Sequence, residues 1–206
     1  MGGNLRCVSS RTGVSGFLIL ERSAEFFSGY LDELALKAGC VLPVELVAAA
    51  SLVDRASASG GKVLVVGNGG SAAIASHVVI DLVKAAGRRA MTFNEASLLT
   101  CYGNDFGFAN WVAEAISSYA DEGDVAVLIS SSGESDDIVN GAERALDMGL
   151  PVVTLSGFNS ANRLRQMGEI NLWVDSSSYN VVEITHQTWL LMVIDYLIEQ
   201  DKNRLG

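Results

Sequence analysis

The chain has 206 residues and a mass of 21.8 kDa, which bounds it to one domain or two small ones. Hydrophobic residues make up 49% and charged residues 18%, enough apolar matter for a packed core and too much for a globally disordered chain. A net charge of −10 and an isoelectric point near 4.6 exclude a broad basic face for nucleic acid, but a small anion can still be held by backbone N–H groups at helix N-termini.

In chain order, residues 1–20 carry Arg6 and Arg11 ahead of a brief apolar patch with no small-residue cleavage site. They read as a flexible leader rather than a signal peptide, and residues 21–206 as a single domain. Phe26, Phe27, Tyr30, Leu31 and Leu34 recur at helical spacing within 21–39, with Gly39 as a C-cap. Pro43 opens a second helix over 43–58. KVLVV (62–66) then reads as a strand buried on both faces, followed by GNGGS (67–71) and a helix over 72–85. Further strands are predicted at 89–93, 124–130, 151–157 and 169–174. Helices are predicted at 108–120, from the SSGES turn to Met148, and at 180–199. This alternation predicts an α/β fold, a doubly wound parallel five-stranded sheet flanked by helices, behind two N-terminal helices.

Cys7, Cys40 and Cys101 are odd in number, far apart and form no CxxC, which points to a reducing cytosol rather than to disulfides or a thiolate metal site. No uninterrupted run of about 18 apolar residues exists, so no membrane partner is expected. The strongest stretch, Trp189 to Ile198, is short and contains Asp195.

Two strand ends carry chemistry. Gly67-Asn68-Gly69-Gly70-Ser71 lets the backbone approach a ligand at the start of a helix. Ser130, Ser131, Ser132 and Ser135 surround Gly133 at a second strand end, a donor-rich cradle without a cationic side chain. Either turn alone reads as ordinary serine capping; the two together point to phosphate. Gly67, Gly69 and Ala72 also fit a dinucleotide fingerprint, with Glu95 downstream, but that reading leaves the serine loop without a role. The chain's two histidines each have an oxygen neighbour on the same helix face: His77 with Asp81, and His186 with Glu183, from which Gln187 is also one turn away. This spacing suits a metal site assembled from two helices or an acid–base pair, and equally suits two structural histidines.

GNGGSAAIASH (67–77), CYGNDFGF (101–108), ISSSGES (129–135) and VTLSG (153–157) resemble the sugar isomerase (SIS) family, and within it the phosphoheptose isomerases of heptose biosynthesis. The similarity spans roughly 21–200, and CYGNDFGF is its most specific piece. The resemblance implies a homotetramer with active sites between subunits, and a sugar phosphate substrate such as sedoheptulose 7-phosphate. It places the phosphate on Ser71, Ser130, Ser131, Ser132 and Ser135, with Asn68, Gly69 and Asp105 contacting the sugar or ordering the site. It implies zinc held by His77 with Asp81, Glu183 and His186. Asp81 or Glu183 would serve as base and His186 as acid in an aldose–ketose isomerisation through an enediolate. Asp81 stands where the family has a glutamate. The family's last helix carries a glutamine followed eight residues later by a catalytic histidine, whereas here Leu191 is eight residues after Glu183. That departure keeps a second reading open: a non-catalytic SIS protein that binds a phosphosugar, or a protein partner such as a replication initiator. Tyr179 and Gln187 are candidates for specificity.

Overall fold

The computed structural model describes residues 12–205. Two helices lead: α1 (Thr12–Ala38) and α2 (Pro43–Ala58). The leader expected over 1–20 is therefore helical from Thr12 onward, and residues 1–11 lie outside the described residues. Pro43 opens α2 as expected, and the Glu45 carboxylate reaches back to accept from the Leu42 N–H at 3.0 Å, closing the first turn.

The remainder alternates. β1 (Val63–Gly67), α3 (Gly70–Lys84), β2 (Ala90–Met91), α4 (Ala96–Phe106), α5 (Trp111–Tyr119), β3 (Val125–Ile129), α6 (Asp136–Asp147), β4 (Val152–Ser156), a short 3₁₀ turn (Leu164–Gln166), β5 (Ile170–Trp173) and α7 (Tyr179–Leu205) follow in that order. The five strands form one parallel sheet in the order β2-β1-β3-β4-β5, registered as Val65 beside Val127 and Val127 beside Val153. The predicted fold class is the one observed.

Every residue of β1, β3 and β4 is buried, because helices cover both faces of the sheet. Strand alternation sends Val63 and Val65 into one core, with Leu52, Ile74, Val78, Trp189 and Ile194 from α2, α3 and α7. Leu64 and Val66 enter the other, with Trp111, Ile116, Ile138 and Ala142 from α5 and α6. Each large side chain so buried contributes roughly 1.5–3 kcal/mol. By length and composition α7 could cross a bilayer, but 50% of that stretch is buried inside the fold, where it is the central helix of the first core.

One helix is absent from the sequence expectation. α4 has no fully buried residue; Leu98, Leu99 and Tyr102 lie half-buried against the second core and make only a short apolar stripe. It is started instead by Glu95, whose carboxylate accepts from the N–H groups of Ser97 and Leu98, each at 3.0 Å.

Candidate active site

β1 and β3 are neighbours in the sheet, and from this pair the strand order runs in opposite directions. Chains leaving two such strands diverge to opposite faces, opening a crevice beyond their carboxyl ends. The glycine loop after β1 and the serine loop after β3 flank this crevice, and α3 and α6 depart from it into the two different cores.

The glycine loop is tight. A Cβ at Gly67 would meet the Ser71 backbone at 2.7 Å, and Gly69 holds φ +54°. The serine loop is pinned from inside and outside. Gly133, at φ +69°, lies against the buried Asn162 amide, whose Nδ2 donates to the Ser156 hydroxyl and the Gly157 carbonyl, each at 3.1 Å. On the outside, Arg163 bridges Glu134 (2.7 Å) and Asp136 (2.8 Å).

Between the loops lies a cavity of about 130 Å³. Ser71, Ser130, Ser131, Ser132 and Ser135 line it, with Asn68, Tyr179 and Glu183 completing the wall. The serines are ordered by one another: Ser130 Oγ accepts from the Gly133 N–H and donates to Ser135 Oγ, both at 3.1 Å. Among the described residues no lysine or arginine lines the cavity, so an anion there meets hydroxyls, backbone N–H groups and two helix N-termini. Glu183 is its one carboxylate; it packs over Gly70 where any side chain would collide, and Ser131 Oγ donates to its Oε1 at 3.4 Å.

Two turns further along α3, His77 Nε2 meets Asp81 Oδ2 at 3.1 Å, and Gln187 Nε2 of α7 meets His77 Nδ1 at 2.8 Å. One protonation pattern satisfies both contacts: Nε2–H donates to the carboxylate, and Nδ1 accepts from the amide. Gly70 and His77 are seven residues apart and so lie on one face, about 10 Å apart along the helix.

The SIS-domain model matches residues 31–157. The chain belongs to the SIS-domain family. It is 35% identical to the phosphoheptose isomerase of Geobacter sp. (strain M21) over 159 residues, covering 74% of this chain and 82% of that protein. It is 31% identical to the phosphoheptose isomerase of Aquifex aeolicus over 163 residues, 76% of this chain and 84% of that one. Among solved structures, the phosphoheptose isomerase of Neisseria gonorrhoeae superposes with a TM-score of 0.78 at 26% identity, covering 87% of this chain and 99% of that one. Within the SIS family the chain thus falls with the phosphoheptose isomerases, a group of isomerase enzymes.

Against this SIS frame, the expected site residues divide. Asn68, Ser71, Ser130, Ser131, Ser132, Ser135 and Glu183 line one cavity, with Gly69 shaping its loop. His186 does not join them. It is fully buried, Nε2 donates to the Ser156 carbonyl at 3.1 Å, and Nδ1 has no partner among the described residues. Burial lowers its pKa to about 4, so it is neutral at pH 7 and reaches neither ligand nor metal. The expectation of His186 as acid and zinc ligand is corrected on this point. Asp105 is likewise on exposed α4, where it accepts from Asn104 Nδ2 at 2.9 Å rather than lining the cavity. Leu191 packs against the core.

The expected zinc set does not assemble. Among the described residues no three His, Cys, Asp or Glu side chains converge on a point that could hold a metal. Asp81 and Gln187 address opposite nitrogens of the His77 ring, so a metal on either nitrogen would have only one of them beside it. As arranged, these residues do not fit zinc.

Three features had little sequence signal. Gln187, weighed for specificity, is the partner of His77. Phe158, at φ +56°, packs tilted against Tyr179 of the cavity wall, with ring centroids 4.9 Å apart. Asp137 is 2% exposed and accepts from Asn68 Nδ2 (2.8 and 3.0 Å) and from Trp111 Nε1 (2.8 Å). Burial raises its pKa, and the two donors oppose that rise.

Proposed function

We propose that this chain interconverts the aldose and ketose forms of a sugar phosphate, sedoheptulose 7-phosphate or a near relative, by proton transfer through an enediolate. The observation that carries the reading is the serine-lined cavity at the switch point, placed about two helical turns from a His–Asp dyad. The serine loop and the two helix N-termini take the phosphate. The sugar extends along the α3–α7 seam, past Glu183, which hydrogen-bonds hydroxyls of the chain. Asp81 removes the proton beside the carbonyl and returns it to the neighbouring carbon. His77 Nε2–H holds that carboxylate in place, and Gln187 fixes the ring. The buried His186 takes no part; the hydroxyl proton lost from one oxygen of the enediolate is gained by its neighbour, so the isomerisation balances. A positioned base of this kind contributes ~10²–10⁴-fold.

The active assembly in this reading is a homotetramer. Phe26, Phe27 and Leu31 of α1 and Ile80 of α3 are exposed, the last one turn from the dyad. A second copy covering them would also close the site over His77.

The test is proton exchange. Metal-stripped protein is mixed with sedoheptulose 7-phosphate in D₂O, with and without zinc, and followed by NMR. Conversion to the aldose, or deuterium entering beside the carbonyl, is the expected result, with rates that zinc changes by less than about twofold. Folded protein that gives neither is not acting on this sugar. If it nonetheless binds the sugar, the non-catalytic reading stands in its place.

A further inference from the structure

Asn68 faces the cavity with one end of its amide already committed. Its Nδ2 points at both oxygens of Asp137, at 2.8 and 3.0 Å. The reverse orientation would set a carbonyl oxygen against a carboxylate, two acceptors with no proton between them. Asp137 in turn is held in place. It is 2% exposed, lies in the first turn of α6, and accepts the indole N–H of the fully buried Trp111 at 2.8 Å.

From this geometry we infer that Asp137 is a positioning residue that fixes Asn68 with its carbonyl oxygen turned to the ligand, so that Asn68 selects a sugar hydroxyl beside the phosphate rather than the phosphate itself. An amide offered the other way would add a donor to a cradle already rich in donors and would favour bare phosphate. With Oδ1 forward, a ligand that brings a hydroxyl gains a hydrogen bond, and one that brings only phosphate oxygens meets an acceptor. The wall between the two strand ends thus has two polarities: serine hydroxyls and N–H groups for the anion, and one fixed acceptor for what is attached to it. The inference rests on the phosphosugar reading and deepens it.

The test reads a ratio. The full-length protein is titrated calorimetrically with inorganic phosphate and with sedoheptulose 7-phosphate, and the two affinities are compared, which cancels effects that any anion would feel. In Asp137→Asn, the amide oxygen stays on the indole, where Asn68 Nδ2 also lies at 2.8 Å, and an NH₂ takes the other carboxylate position, 3.0 Å from Asn68 Nδ2. Asn68 is then fixed in neither orientation, and its NH₂ reaches the cavity in part of the population. The preference for the sugar phosphate over phosphate should fall about fivefold or more. The swap Asn68→Asp with Asp137→Asn restores an acceptor on both sides, and the preference should return to within about twofold of wild type. On an Asn68→Ala background, Asp137→Asn should change the ratio by less than twofold, because its effect runs through Asn68. A folded Asp137→Asn protein that keeps the wild-type ratio overturns the inference, as does a swap that fails to restore it. If Asp137→Asn does not fold, the swap and Asn68→Ala decide. Wild-type protein that binds neither probe defeats the phosphosugar reading itself, an outcome distinct from a failure confined to the variants.

Discussion

His77 and His186 start from the same description. Each stands in a long helix with a carboxylate one turn away, and each could be a ligand or an acid–base group. One ends at the solvent edge of the α3–α7 seam, bonded to Asp81 and Gln187; the other ends in the core under Ser156. The difference comes from the rest of each helix face. One turn either side of His186 stand Val182, Trp189 and Leu190, with Val193 beyond, all buried. One turn either side of His77 stand Ala73, Ile80 and Asp81, none of them buried, and only Ile74 on that side enters the core. Spacing to a carboxylate says which residues share a face; the apolar company on that face says which way it points.

The sharpest way to break the comparison is to remove each imidazole. His77→Ala and Asp81→Asn should lower turnover ~10²–10⁴-fold while leaving the melting temperature nearly unchanged, because both side chains are partly solvated. His186→Ala should do the opposite. It leaves a cavity in the core and costs about 2–4 kcal/mol by denaturant titration, while turnover per folded molecule stays within about threefold. A catalytic collapse in folded His186→Ala protein would return that residue to the mechanism.

Acid separates the same pair. His186 has a folded pKa near 4, depressed by burial, so the native state stays neutral while the unfolded chain takes a proton below about pH 6.5. Stability from this group is therefore present above pH 6.5 and is lost as pH falls toward 4, by about 3 kcal/mol in all. Unfolding titrations across that window should show the loss in wild type and a flatter slope in His186→Ala. Parallel slopes would mean the buried ring already carries its proton.

Gly70 sharpens the contrast from the other helix. A Cβ there would overlap the Glu183 carboxylate, and a flexible side chain can yield where backbone cannot. Gly70→Ala should thus spare the fold and displace Glu183 from the cavity, costing on the order of 10²-fold in kcat/KM. An alanine variant with wild-type kinetics would show that Glu183 has no part in binding the sugar.

These contrasts also mark what the sequence shows in advance. β1, β3 and β4 were legible because strands buried on both faces leave continuous apolar runs such as KVLVV and DVAVLIS. The two loops were legible because glycine and clustered serine at successive strand ends have few other uses. α4 was not, because it half-buries only Leu98, Leu99 and Tyr102 against the second core and owes its start to the Glu95 cap. Asp137 was hidden for a different reason. In SGESDD it reads as one of two acidic residues in a helix's first turn, where a carboxylate is ordinary. Only the fold shows that Asp136 turns out to Arg163 while Asp137 turns in to Asn68 and Trp111. The role of Gln187 waited on the packing of α3 against α7, a contact between residues 110 apart in the chain.

The smallest expected effects compare the inner and outer supports of the serine loop. Asn162 is fully buried and satisfies the Ser156 hydroxyl and the Gly157 and Asn159 carbonyls, while its own oxygen accepts from the Arg165 N–H. Asn162→Ala leaves the buried Ser156 hydroxyl and Gly157 carbonyl without this partner and should cost about 1–3 kcal/mol, with a raised KM for the sugar phosphate as the loop loosens. Arg163 makes charged contacts, to the side chain and carbonyl of Glu134 and to Asp136, and holds the Glu134 carboxyl below its ordinary pKa. All of this takes place in solvent, where pairing is screened and each partner has water as an alternative. Arg163→Ala should therefore change KM by less than about twofold, and the small difference should vanish at 0.5 M salt. If Arg163→Ala raised KM more than Asn162→Ala, and salt did not abolish the effect, the cradle would depend on its surface strap rather than on the buried amide beneath it.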